Sequence, residues 1–362
     1  MVIPAIPVLV TPGARSSRAS APPGPDPETG APASSLTDRF GRVHRDIRIS
    51  VTDRCNLRCT YCLPDDHVTF LPRAEILTFE EIARVAKVAH DLGIRSVRIT
   101  GGEPLVRRDV AGLVAQLADI GFDDLSLTTN ATRLAELAQP LADAGLTRVN
   151  ISCDSLQPDR FARIRRRGTL APVLAAMDAA EDAGLSPLKV NVVLVAGVND
   201  DEITDFATFA RRTGRVVRFI EFMPLDAEEQ WDRSLVVPAS TVLQTIGDMW
   251  AIEPVPGTME DSAPAERYRF ADGTPGEIGV VASVTRPFCG RCDRLRLTAD
   301  GSIRNCLFSD DELSARDLLR AGGDDDGLKA LFHQAVAGKR AGHGMDDPAF
   351  LRPHRTMSRI GG

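Results

Sequence analysis

The chain has 362 residues, in which 43 Lys and Arg stand against 50 Asp and Glu, for a net charge of −7. A hydrophobic fraction of 43% and a charged fraction of 26% are ordinary for globular proteins and exclude wholesale disorder. The acidic balance and the absence of a block of Lys or Arg argue against a protein that wraps nucleic acid. We therefore expect no nucleic-acid partner.

The first part of the chain predicts an extension rather than a domain. Residues 11–36 are dominated by Pro, Gly, Ser and Ala, so we expect disorder over residues 1–37. The apolar start lacks the basic region of a signal peptide, and no apolar run approaches the roughly 20 residues of a membrane helix. The expectation is a cytoplasmic protein without a membrane partner.

A repeating unit of one β-branched run, one amphipathic helix and one glycine follows. The clearest helix begins after Thr78, with Glu81 completing a capping box, and stops at Gly93. The runs predict six strands, at residues 47–51, 97–100, 125–129, 149–152, 190–195 and 216–222.

Regular alternation of strands and helices predicts a parallel α/β sheet, either doubly wound or a barrel. In both, ligands bind at the carboxyl ends of the strands. Polar residues of this chain follow those ends, including Cys55 after the first strand and Gly101 to Pro104 after the second. We therefore expect a core of one of these two types over residues 38–225, with one crowded rim.

Three cysteines, Cys55, Cys59 and Cys62, form a C-x3-C-x2-C loop after the first strand, and we call them the N-terminal triad. Three thiolates on one short loop can hold three irons of a cubane cluster and leave the fourth iron open. The alternative is a structural zinc site, for which His67 is the nearest fourth ligand.

Beyond residue 225 the alternation fades, and we expect residues 226–362 to form a separate C-terminal layer. This region contains Cys289, Cys292 and Cys306, which we call the C-terminal triad. The spacing indicates a second open cluster, with zinc as the alternative. The alternating Arg294 and Arg296 place two guanidinium groups on one side of a strand, where they could clamp phosphates.

The N-terminal triad, with Tyr61 before its last cysteine, resembles the signature of the radical S-adenosylmethionine (SAM) enzymes. The turn from Gly101 to Pro104 matches the glycine-rich element of that superfamily. Two [4Fe-4S] clusters and SAM are the cofactors that the resemblance implies. The matching positions for SAM contacts are Tyr61, Gly102, Ser152 and Met223.

The segment from Arg48 to Cys55, the segment from Cys289 to Arg296 and the terminal Gly361 and Gly362 together resemble the GTP 3′,8-cyclase family. That family catalyses the first step of molybdenum cofactor biosynthesis. The resemblance implies an incomplete (β/α)6 barrel that is capped by a region with the second cluster. The substrate contacts carried over to this chain are Arg48, Arg98, Thr128, Lys189, Arg294, Leu295 and Arg296.

The resemblance also implies a lyase mechanism. A 5′-deoxyadenosyl radical takes the hydrogen from ribose C3′ of GTP, and C3′ then joins guanine C8 to give (8S)-3′,8-cyclo-7,8-dihydroguanosine 5′-triphosphate. The tail residues Gly361 and Gly362 are expected to enter the active site and to be needed after SAM cleavage, with Arg359 docking the tail.

The expected partners are a flavodoxin- or ferredoxin-like electron donor, a downstream cyclic pyranopterin monophosphate synthase and a second copy in a homodimer. Two other functions stay open at this point: a peptide-modifying radical SAM enzyme with two clusters, and a zinc-dependent nucleic-acid-binding protein. Few cysteines argue against the first, and the acidic balance argues against the second.

Overall fold

The computed structural model describes residues 35–63, 68–226, 230–258, 262–345, 347 and 350–361. Its centre is a run of parallel strands in sequence order, each hydrogen-bonded to the next. The six predicted strands are confirmed: β1 (Asp46–Ser50), β2 (Ser96–Thr100), β3 (Asp124–Thr129), β4 (Arg148–Ser152), β5 (Lys189–Leu194) and β6 (Val216–Glu221).

Helices connect these strands and bury one apolar face against them. Thr78 caps the first helix: its hydroxyl accepts from Glu81 N, and the Glu81 carboxylate accepts from Thr78 N at 2.8 Å. Gly121 and Gly214 end later helices with left-handed backbone, as the glycine punctuation predicts. The helices are α1 (Phe79–Asp91), α2 (Val110–Ile120), α3 (Leu134–Asp143), α4 (Pro158–Arg165), α5 (Leu170–Asp182) and α6 (Ile203–Thr213).

The C-terminal part adds strands to both edges of the same sheet. Its elements are α7 (Ala239–Gly247), β7 (Ile252–Pro254), β8 (Glu266–Phe270), β9 (Glu277–Val281), β10 (Arg294–Leu297), β11 (Ser302–Arg304), β12 (Leu313–Ser314), α8 (Ala315–Arg320), α9 (Asp325–Ala337) and α10 (Met357–Ile360).

Strand β10 pairs in parallel with β1, and β9 pairs in parallel with β6. The expectation of a separate C-terminal layer is therefore wrong, because the apolar faces of these strands continue the core. Leu295, for example, is fully buried opposite Ile47. The strand order is β12-β11-β10-β1-β2-β3-β4-β5-β6-β9-β8-β7, which is an open sheet with two edges.

The sheet curves around one cavity, as an incomplete barrel does. Because strand side chains alternate between faces, every second residue of the central strands points into this space. The inward residues include one from each central strand: Arg48, Arg98, Thr128, Ser152, Asn191 and Arg218. The partial-barrel fold class is confirmed.

Most of the predicted N-terminal extension, residues 1–34, lies outside the described residues. Its last two residues are packed: Leu36 is fully buried, and Thr37 forms a β-bridge with Val43. The packed chain thus begins slightly earlier than the composition predicts. Among the helices that the structure describes, none is both long and apolar enough to cross a membrane.

Candidate active site

A cavity of about 280 Å³ occupies the carboxyl ends of the central strands. Both cysteine triads line it, together with the arginines of β1, β2 and β10. Two predicted substrate residues, Lys189 and Leu295, do not line it. Those that do are Arg48, Cys55, Cys59, Tyr61, Cys62, Arg98, Gly102, Thr128, Ser152, Met223, Cys289, Cys292, Arg294, Arg296 and Cys306.

The N-terminal triad follows β1 directly and has free thiols. Nitrogen donors surround its sulfur atoms: Leu57 N lies 3.4 Å from Cys55 Sγ, and Arg165 Nη1 lies 3.1 Å from Cys59 Sγ. N–H donors to sulfur are the second shell that cluster thiolates take in iron–sulfur sites. The donor set therefore fits an iron–sulfur cluster.

Burial keeps these thiols protonated when no metal is bound. Burial and then the Glu103 carboxylate raise the pKa of Cys55 to about 12. Burial also raises the pKa of Cys59, against the opposing charge of Arg165. Since metal ligation needs thiolates, loading of this triad must release protons.

The glycine-rich turn after β2 packs backbone against backbone on the triad loop. A Cβ at Gly102 would lie 2.5 Å from the Arg54 carbonyl oxygen and 2.7 Å from that of Asp53, so only glycine fits. The following Glu103 is buried and accepts hydrogen bonds from Thr129 Oγ1 and Asn130 N, both at 2.7 Å. These contacts hold the ends of β2 and β3 together beside the triad.

The C-terminal triad lies across the cavity, on the turn before β10 and after β11. The Arg294 guanidinium donates to Cys292 Sγ at 3.3 Å. Burial would raise the pKa of Cys292, but the charges of Arg294 and Lys339 outweigh it and lower that pKa to about 7. Arg42 Nη1 donates to the Cys289 carbonyl oxygen at 2.6 Å and holds the turn. This thiol environment also fits a cluster, as at the first triad.

Between the triads lies a group of buried guanidinium groups. The strand register sets Arg48 opposite Arg98 on one side and Arg296 on the other. Burial, and then the charges of Arg98 and Arg296, hold the pKa of Arg48 well below its usual range. Arg48 Nε has no hydrogen-bond partner in the structure. A half-buried cation with an inaccessible, unsatisfied N–H among other cations favours a polyanionic ligand.

Sequence reasoning missed Arg218 in this group. Its guanidinium lines the cavity and donates only to neutral amides, Asn150 Oδ1 at 2.7 Å and Asn191 Oδ1 at 2.9 Å. Burial, and then the charge of Arg98, hold its pKa well below its usual range. The available signal was its place between Val217 and Phe219 in β6, where one cation interrupts an apolar run.

Lys189 begins β5, at the opposite end of the strand from the cavity rim. Burial and the charges of Arg218 and Arg148 lower its pKa to about 7. Leu295 belongs to the hydrophobic core, because β10 turns its neighbours Arg294 and Arg296 to the cavity side. Its side chain therefore packs away from the site.

Cys153, next to Ser152, is fully buried in the core, as expected of a small hydrophobe. The basic run from Arg163 to Arg167 divides: Arg163, Arg166 and Arg167 are exposed, whereas Arg165 is buried and lines the cavity. The run is therefore not a single solvated face, because Arg165 points into the protein.

The C-terminal tail packs beside the site: Met357 lines the cavity, and Gly361 does not line it but contacts residues at its edge. Gly361 has φ +84°, and its carbonyl oxygen accepts a hydrogen bond from Arg296 Nη1. A Cβ at Gly361 would lie 2.8 Å from Ser50 Cβ, so the tail touches the end of β1. Arg359 Nη2 donates to the Thr69 carbonyl oxygen at 2.7 Å. Gly362 lies outside the described residues.

Comparisons with known proteins agree with this geometry. The Radical SAM superfamily model matches residues 49–210, and the Molybdenum Cofactor Synthesis C model matches residues 215–345. The structure of Streptococcus suis SuiB bound to S-adenosylmethionine shares the fold, with a TM-score of 0.55 at 14% identity over 81% of this chain and 69% of that chain.

Two relatives cover nearly the whole chain. A GTP 3′,8-cyclase of Rhodopirellula baltica is 46% identical over 331 residues, 91% of this chain and 92% of the relative. One of Streptomyces coelicolor is 46% identical over 329 residues, 90% of this chain and 96% of the relative. The chain belongs to the GTP 3′,8-cyclase family of radical SAM enzymes.

Proposed function

We propose that this chain converts GTP to (8S)-3′,8-cyclo-7,8-dihydroguanosine 5′-triphosphate, the first step of molybdenum cofactor biosynthesis. The main support for this proposal is that one cavity is lined by two cysteine triads and by the arginine group between them. Such a cavity offers two metal sites and one polyanion site within reach of each other. Relatives at 46% identity bear the cyclase name, and neither alternative function has comparable support.

Each triad would hold one [4Fe-4S] cluster and leave one iron open. When bound, the cluster of the N-terminal triad supplies the electron for reductive cleavage of SAM, which yields the 5′-deoxyadenosyl radical. Gly102, Ser152 and Met223 would contact SAM. Tyr61 donates its hydroxyl to Asp154 Oδ2 at 2.6 Å, which fixes its ring beside the triad.

The arginine group would bind the triphosphate. Arg48, Arg98 and Arg296 form no direct ion pair with a carboxylate in the part of the chain that the structure describes, so their guanidinium groups are available to an entering phosphate. Thr128, Arg294 and Arg218 would add contacts from neighbouring strands. Lys189 would approach the ligand from the amino end of β5. A contact to Leu295 would come from its backbone. This arrangement would hold ribose C3′ near SAM and shield it from water.

Gly361 and Gly362 would close the site from the C-terminal side. The contacts of Gly361 with Ser50 and Arg296 support this role. A cytoplasmic location, a homodimer, a flavodoxin- or ferredoxin-like donor and a downstream cyclic pyranopterin monophosphate synthase remain part of the proposal.

The test is an assay of protein purified without oxygen. With SAM, GTP and dithionite, we expect 5′-deoxyadenosine and the 3′,8-cyclised nucleotide in comparable amounts by liquid chromatography and mass spectrometry. Iron-loaded protein that cleaves SAM but never forms the cyclised nucleotide from GTP contradicts the proposal.

A further inference from the structure

The basic run after Phe161 holds one arginine with a different environment from the rest. Arg165 is 3% exposed, whereas Arg163 on the same helix is exposed. Arg165 ends α4, and the mechanism above gives it no role. Its position beside the N-terminal triad therefore needs an explanation.

The Arg165 guanidinium joins a cluster cysteine to a buried carboxylate. Nη1 donates to Cys59 Sγ at 3.1 Å, and Nη2 lies 2.7 Å from Asp154 Oδ2. The same Asp154 oxygen accepts the hydroxyl of Tyr61 at 2.6 Å. Both members of the ion pair are nearly inaccessible to solvent. The fork of the guanidinium allows it to face both partners at once.

The backbone at the end of α4 fixes the distance between Arg165 and the triad loop. The carbonyl oxygens of Ile164 and Arg165 accept from Thr60 N at 3.0 Å and Arg58 N at 3.1 Å. These bonds hold the residues immediately before and after Cys59. The loop and the helix end thus form one unit, and the guanidinium stays beside the sulfur.

We propose that Arg165 is a positioning residue that favours reduction of the cluster held by the N-terminal triad. This inference rests on the proposed function. The potential of an iron–sulfur cluster depends on net charge and on hydrogen bonds to its sulfurs. Reduction adds one electron from the external donor, so a buried cation and an N–H donor at Cys59 stabilise the reduced state most. Asp154 orients the guanidinium and balances its charge in the oxidised state.

Substitution of Arg165 should therefore change the reduction potential of this cluster. In Arg165→Gln the donor charge is lost and Asp154 is left unpaired near the cluster, so reduction becomes less favourable. A hydrogen bond to a charged group has an energy that corresponds to a change on the order of tenfold. For a one-electron couple that is a potential about 59 mV more negative.

The experiment is an EPR-monitored redox titration of the full-length protein with both clusters, using dithionite. The first cluster is identified by the change of its signal on SAM addition. In Arg165→Gln we expect a reduction potential about 59 mV more negative than the parent's. In Arg165→Lys we expect a smaller change, and the matched control Arg163→Gln should have the parental potential. An unchanged potential in Arg165→Gln at parental iron content overturns the inference.

Two further readouts separate the possible failures. If Arg165→Gln does not load iron, Arg165→Lys decides, and a parental potential in that variant also overturns the inference. Hydrogen exchange of the Arg58 and Thr60 amides tests a merely structural role: faster exchange with an unchanged potential counts against tuning. A parent protein that lacks iron or leaves GTP unconverted contradicts the proposed function instead.

Discussion

Replacing Gly361 by alanine should uncouple SAM cleavage from cyclisation. The new Cβ would lie 2.8 Å from Ser50 Cβ and 3.1 Å from Thr100 Cγ2. Overpacking of this kind costs about 1–3 kcal/mol. The φ of +84° adds about 1–2 kcal/mol for a residue with a Cβ. The docked tail should therefore lose at least about 2 kcal/mol, or roughly 30-fold in population.

This clash should displace the tail and leave the sheet in place. Ser50 and Thr100 are buried in the central strands β1 and β2. The tail is held by fewer contacts, chiefly Arg296 to the Gly361 carbonyl and Arg359 to the Thr69 carbonyl. The cysteines and arginines that would hold the clusters and GTP belong to other elements, and the tail touches them at Arg296 and Cys62. We expect their occupancy to change little.

The assay compares two products from one anaerobic reaction. In Gly361→Ala we expect parental iron content, GTP binding and 5′-deoxyadenosine, with a cyclised nucleotide reduced roughly 30-fold. Deletion of Gly361 and Gly362 should give the same pattern. The matched control is Gly322→Ala, which has a similar φ of +81° but no atom within 4 Å of its Cβ. If Gly361→Ala forms the cyclised nucleotide as fast as this control, the tail has no role in cyclisation.

Three further predictions concern the metal and substrate sites. Alanine at all three positions of the N-terminal triad should lower iron from about eight to about four per chain and abolish SAM cleavage; zinc as the only stoichiometric metal in the anaerobic parent would refute both clusters. Arg294→Ala and Arg296→Ala should each weaken GTP binding by about 1.5–3 kcal/mol in calorimetry; unchanged affinity in both would exclude a phosphate clamp. Because the pKa of Lys189 in the free protein is lowered to about 7, GTP binding should take up a proton above that pH and weaken as pH rises. Arg in place of Lys189 stays charged and should lose this part of the pH dependence; calorimetry in buffers of different ionisation enthalpy measures it, and equal proton uptake in both proteins would contradict the assignment.

The local pattern of the sequence was enough for the strands, the helix ends and both triads. Strand positions follow from β-branched runs, and the Thr78 capping box and glycine ends follow from residues a few positions apart. The triads are visible for the same reason, since their ligands lie close together in the chain. Fold class and cofactor class depend on such local signals.

The position of the C-terminal strands depended on contacts between distant parts of the chain. No spacing in the sequence says that β10 pairs with β1 or that β9 pairs with β6. That pairing brings Arg296 beside Arg48 and places the second triad across the cavity from the first. It also turns Leu295 into the core.

The environments of single side chains also depend on contacts between distant parts of the chain. By itself, the sequence pattern determined a parallel α/β sheet with polar residues at the strand ends and two three-cysteine sites, because periodicity and short spacing encode those features. The partial barrel and most of the substrate arginines were expected from the family resemblance. Only the tertiary structure decided which member of the basic run is buried, where Lys189 lies and which strand Gly361 contacts. Arg165 reaches Cys59 and Gly361 reaches Ser50 because packing joins segments far apart in the chain. Burial and partner atoms, which set charge and reactivity, exist only after that packing.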